Sequence, residues 1–200
     1  MLTFPFFTGY YQALKDYLQP VLNTLALTLP LLLMLEDKQR VSVIVGITYF
    51  VIYLLTSYSS RHAGAYSIRF KNLTKPLNIT IMGGLLLGGL SGLFYEMNII
   101  FVSVIFFIGI YIIENLRKPI GIAYVTETID NRILATVLSA ESQAHTLVAA
   151  ILAPLIGYLA DAYGLGYAIM GASGLLIIIS PVFLLGLTKN KKGKQLGLEN

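Results

Sequence analysis

The sequence contains no cysteine and no tryptophan, and only 12% of its 200 residues are charged. Without cysteine there is no disulfide framework, no thiolate metal site and no cysteine nucleophile. The scarcity of charge excludes more, because a soluble domain carries about 25% charged residues and this chain has too few to cover a globule in water. Signatures of catalysis are also missing. There is no Gly-x-Ser-x-Gly, no His-Glu-x-x-His, no P-loop and no acidic cluster able to hold Mg²⁺ for lipid phosphotransfer. The chain is therefore read as a non-enzyme that calls for no cofactor and no metal. Met1 to Gly9 has no basic start, so no cleavable secretory signal is expected.

What the sequence does have is long apolar runs, with 56% hydrophobic residues overall. A membrane-spanning helix needs about 20 apolar residues to cross about 30 Å of hydrocarbon. Six runs qualify, over residues 17–35, 41–60, 76–95, 97–113, 133–160 and 165–187. Their separators carry Gly, Pro or charge, as helical hairpins require. The runs are continuous rather than alternating, which favours helices over strands, and a helix satisfies its own backbone in lipid. Thirteen tyrosines can supply the aromatic belts. The expected fold is an all-α integral membrane protein with six transmembrane helices. Residues 1–16 read as an interfacial lead-in and 188–200 as a basic cytoplasmic tail.

The net charge of +4 does not point to nucleic acid, because the basic residues sit between apolar runs. Twelve of them fall on one side of the expected topology: Lys15, Arg61, Arg69, Lys71, Lys75, Arg117, Lys118, Arg132 and four in the tail. Only Lys38 and Arg40 fall on the other. The positive-inside rule then places both termini in the cytoplasm, with the plasma (inner) membrane as the expected location.

Arg117-Lys118-Pro119, followed by Arg132-Ile133-Leu134-Ala135-Thr136-Val137-Leu138-Ser139, resembles the loop between helices ten and eleven of the major facilitator superfamily. Gly157-Tyr158-Leu159-Ala160-Asp161-Ala162-Tyr163-Gly164 is similar to the Gly-x-Leu-x-Asp-x-x-Gly core of that superfamily's loop motif. Basic residues do not follow its second Gly, so this copy is expected on the outer side. Ser59-Ser60-Arg61-His62-Ala63-Gly64, expected between spans two and three, keeps an Arg-x-x-Gly skeleton without the acidic residue. The resemblance implies one six-helix bundle built of two inverted three-helix repeats. It also implies secondary active transport of a small solute by alternating access. The implied partners are the lipid bilayer, the solute, and either an N-terminal six-helix half (same gene or separate chain) or a second copy. A non-catalytic membrane scaffold is the alternative.

Candidate site residues follow from polar groups inside the runs. Glu141 and His145, four apart, share a helical face, and a charge in lipid should face a cavity or a protein partner. They are candidates for substrate or proton binding, with a contact at headgroup depth as the plainer reading. Asn23 and Thr24 on span one, and Tyr49 and Tyr53 on span two, form stripes that the resemblance makes candidate substrate contacts. Helix packing accounts for each of them singly. The resemblance also nominates Arg61, Arg117, Arg132 and Asp161 for gating, with Arg117 and Arg132 in one cytoplasmic loop. The glycines of span three read as a close-packing face.

Overall fold

The computed structural model describes residues 3–30 and 32–184. The expected tail and the last residues of the sixth run lie outside the described residues. All regular structure among the described residues is helical: α1 (Thr3–Leu14), a 3₁₀ turn (Lys15–Tyr17), α2 (Leu18–Thr28), α3 (Asp37–Ser67), α4 (Thr74–Glu96), α5 (Ile100–Thr128), α6 (Leu134–Tyr163) and α7 (Leu165–Phe183). Five of these, α3 to α7, are long and apolar enough to cross a membrane.

The first helical segment lies well before its expected position at 17–35. α1, the 3₁₀ turn and α2 follow one another without a loop over residues 3–28, and the expected lead-in is part of the bundle. The reason is a continuous apolar stripe: Phe7, Tyr10, Leu14, Leu18, Val21, Leu22 and Leu25 recur at helical spacing and are all buried. Lys15 and Asp16 interrupt the run in composition without breaking this stripe. The C-terminal end falls at Thr28 because Leu29 precedes Pro30 and is extended, at φ −76° and ψ 130°. The carbonyls left free there are capped by Arg40, whose Nη2 donates to Ala26 O at 3.0 Å and Leu29 O at 2.8 Å.

Helix α4 packs against α5 and α7, α1 against α6, and α3 against α5 and α2. The glycines of α4 serve close packing, as expected. A Cβ on Gly84 would overlap the Phe7 ring, one on Gly88 the Tyr10 hydroxyl, and one on Gly92 would lie 2.5 Å from Gly166 O of α7. The Tyr10 hydroxyl and Ser173 Oγ, both fully buried, are 2.7 Å apart. Ser173 donates its own proton to Ile169 O at 2.7 Å, so Tyr10 is the donor between them.

Three expected loops are helical. Helix α3 continues through Ser59 to Gly64, and α5 continues past Ile113 and through Pro119 to Thr128. Those extensions are held together by Ala63, Leu77 and Ile120, with Tyr66, Leu73, Leu116 and Tyr124 around them. The Gly157 to Gly164 motif lies in α6 up to Tyr163. Gly164, at φ +102°, makes the junction to α7, a conformation that glycine adopts without strain. The Glu96 carboxylate at the end of α4 accepts the Tyr167 N–H at 3.3 Å and so ties the α4–α5 and α6–α7 turns at the same end of the bundle.

Candidate functional site

Charge is distributed unevenly over the helices. The described part of α7 has none, and α4 has Lys75 and Glu96 only at its ends. By contrast α5, whose 29 residues extend about 43 Å at 1.5 Å each, carries Glu114 and Arg117 near its middle. Glu114 lies about 21 Å from the Ile100 end. Its side chain is 4% exposed and that of Arg117 is fully buried. Sequence reasoning missed Glu114 and assigned Arg117 to a loop. The placement corrects this: Arg117 is in the body of α5, three residues and so one turn from Glu114.

Three helices converge on this pair. Thr8 of α1 donates from Oγ1 to Glu114 Oε1 at 2.9 Å, while Glu114 Oε2 has no hydrogen-bond partner among the described residues. The Arg117 guanidinium carbon lies 5.4 Å from the centroid of the Phe7 ring, near enough for a cation–π contact. Glu141 of α6 is the second carboxylate that acts on Arg117. Glu141 and His145 are both half-buried one turn apart, and Lys118 of α5 acts on His145. Glu141 and His145 thus lie within electrostatic range of the charged segment of α5.

A second group lies one to two turns further along. The Tyr111 hydroxyl donates to Lys15 O at 2.9 Å, which fills a carbonyl at the 3₁₀ turn between α1 and α2. That contact fixes Lys15 and Asp16 at the level of Tyr111, about 16 Å from the Ile100 end of α5. Tyr11 meets Tyr111 edge-on with centroids 5.1 Å apart, and the Tyr49 hydroxyl interacts with that of Tyr111. Tyr49 and Tyr53 of α3 stand 6.4 Å apart. Four tyrosines from three helices therefore line one face beside Asp16 and Glu114. The stripe through Phe7, Tyr10 and Leu14 carried the signal for this arrangement, because it makes α1 a packed helix and turns Tyr11 toward α5.

The other nominated residues separate. Asn23 is exposed in a groove of about 350 Å³ with Leu27, Asp37, Lys38, Val41 and Ser42. Thr24 shares a hydrogen bond of 3.1 Å with Tyr95 and donates to Pro20 O, so it is used in packing α2 on α4. Arg61 lines an open groove of about 500 Å³ with Tyr53, Thr56, Ser57, Ser60 and Asn115. Arg132 is exposed in the α5–α6 connection, where its backbone N–H donates to Asp130 Oδ1 at 3.0 Å. Asp161 is exposed near the opposite end, in the last turn of α6. Arg61, Arg132 and Asp161 do not cluster with Arg117, the fourth residue nominated for gating. No group of three or more His, Asp or Glu side chains suited to a metal is found among the described residues. Compared with protein-family models, with curated proteins and with solved structures, the chain matches none.

Proposed function

We propose that this chain is one bundle of a secondary transporter that moves a small solute across a membrane by alternating access, with the organisation of a major facilitator half. The observation that carries the reading is the distribution of charge by depth. Lys15 and Asp16 lie in the 3₁₀ turn between α1 and α2, and Glu114, Arg117, Glu141 and His145 lie on α5 and α6 away from the helix ends, while α4 and α7 keep only packing residues there. Ionisable groups at such depth are costly in lipid and mark solute or ion pathways.

Helix pairing supports the same reading. In a nested 3+3 repeat the first helix exchanges with the fourth, the second with the fifth and the third with the sixth. If residues 3–28 count as the first helix, the α1·α6 contact exchanges with α3·α5, and α4·α7 maps onto itself. All three contacts are present, whereas the α2·α3 and α6·α7 contacts have no counterpart of similar extent between α5 and α6 or between α3 and α4. The interrupted first helix fits the discontinuous helices that build transporter sites near mid-membrane. In this reading both termini are cytoplasmic and the open face of α3 and α6 meets a second six-helix bundle.

Counterflow tests the proposal. Proteoliposomes containing the chain, alone and with a co-expressed six-helix N-terminal half, are loaded with a panel of amines, sugars, amino acids and organic acids, and entry of each labelled solute is followed. Saturable exchange of one solute class is expected when the second bundle is present. Absence of exchange for every class, from folded protein in both arrangements, overturns transport in favour of a scaffold.

A further inference from the structure

We propose that the tyrosine-lined face of α1, α3 and α5 binds an organic cation, an amine or quaternary ammonium whose apolar body lies on the rings and whose charge is balanced by Asp16, with the buried Glu114 and Arg117 behind the wall. The proposal deepens the transport reading and rests on it for the claim that this ligand is the cargo. The site itself is argued from its own geometry.

Aromatic faces carry negative potential and attract ammonium groups within about 6 Å of the ring centroid. Tyr11 and Tyr111 are in edge contact at 5.1 Å, and Tyr49 and Tyr53 continue the wall along α3 at 6.4 Å. Tyr53 is 69% exposed and opens onto the groove of about 500 Å³. The wall therefore runs from buried Tyr111 to an accessible edge. The charges that act on these rings are carboxylates: Glu114 and Asp16 on Tyr11, and Asp16 on Tyr111. Glu114 keeps one buried oxygen, Oε2, without a hydrogen-bond partner among the described residues.

An anionic cargo fits this face poorly. Arg117 is fully buried against Phe7, out of reach of a ligand on the tyrosine wall. Arg61 lines the groove at the accessible edge with Tyr53, so its charge sits at the outer end of the wall, two turns along α3, while the carboxylates act at the inner end. Lys15 takes part through its backbone carbonyl. Asp16 lies at mid-bundle depth, where a carboxylate gains from a cationic partner.

The test measures binding of labelled tetraphenylphosphonium to the full chain in phosphatidylcholine nanodiscs. Saturable binding is expected, displaced by tetrabutylammonium and unaffected by naphthalene-2-sulfonate. Asp16→Asn and Tyr53→Ala should each weaken binding about tenfold, whereas Tyr53→Phe, which keeps the ring, should stay within about threefold of the parent. Asp16 and Tyr53 are both exposed, so unchanged thermal unfolding of these variants separates loss of the site from loss of the fold. Lack of saturable binding, displacement by the sulfonate, or full affinity in Asp16→Asn overturns the assignment. The readout requires no movement of solute. Counterflow of another solute class without cation binding therefore removes the cation site alone, and cation binding without any counterflow removes the transport reading alone.

Discussion

The most direct check on the burial of the first helix is a double-mutant cycle between Tyr10 and Gly88. Tyr10→Phe deletes one buried interhelical hydrogen bond, to Ser173 at 2.7 Å, and such bonds in membrane proteins average about 0.6 kcal/mol. Gly88→Ala adds a methyl group where the Tyr10 hydroxyl sits and only 2.8 Å from Ser173 Oγ. Overpacking of this kind costs about 1–3 kcal/mol. The two changes share an atom, so their effects should not add. With the hydroxyl gone, the worst overlap of the new methyl disappears, although Ser173, tethered to Ile169 O at 2.7 Å, still crowds it. Gly88→Ala should therefore cost at least about 0.5 kcal/mol less in the Tyr10→Phe background than alone. The four proteins are compared by reversible SDS unfolding in dodecylmaltoside micelles. Additivity within about 0.3 kcal/mol, or two silent single variants, would mean that Tyr10 does not lie on α4 and that residues 3–14 are not part of the bundle.

Arg40→Met should lower stability in the same assay by about 1–3 kcal/mol, because the α2 carbonyls of Ala26 and Leu29 lose their buried donor. Asp37→Asn removes an ion-pair partner that is 77% exposed and should change stability by less than about 0.5 kcal/mol. Equal losses in the two variants would refute the capping role. Arg117→Met leaves the Glu114 carboxylate buried without the cation that acts on it most strongly, at a cost of about 3–5 kcal/mol, and adding Glu114→Gln should recover at least half of it. A double variant as unstable as the sum of the singles would show that the two groups do not compensate one another. Cysteines replacing Lys38 and Met97 should react with an impermeant reagent from outside intact cells, and those replacing Lys71 and Arg132 should not. The opposite pattern would invert the topology.

The helical class was legible because apolar runs of about 20 residues admit few alternatives in lipid. Two of the six runs fall wholly inside helices α3 and α4, as when 41–60 becomes Asp37–Ser67, and the runs 97–113 and 133–160 correspond to α5 and α6, whose C-terminal ends lie further on. The ends moved because charge was read as punctuation. In α3 the segment Ser59 to Gly64 contains Arg61 and His62, yet Ala63 on its inner side is 1% exposed and packs under Leu77 and Ile120. Long side chains extend their charged ends to water while the backbone stays helical. Composition in a window cannot register which side of the helix a charge occupies.

That distinction decided how much of the site could be read. Lys15-Asp16 and Glu114-Asn115-Leu116-Arg117 were each taken as the end of a membrane span, since charge is expensive in hydrocarbon. The same expense has a second solution, in which the charge stays at depth and a partner or cavity receives it. Periodicity separates the two. Across Lys15-Asp16 the buried positions Tyr10, Leu14, Leu18 and Val21 keep helical spacing, and across Glu114 to Arg117 so do Phe107, Ile110, Ile120 and Val125. A span that truly ended would have no reason to hold its apolar register on both sides of the charge. Glu141 and His145 were found by sequence because a long apolar stretch followed them. Glu114 was missed because the stretch after it contained Lys118, Pro119 and Glu127 and looked like a loop. In this fold the polar residues that carry the functional reading are the ones whose apolar register continues past them.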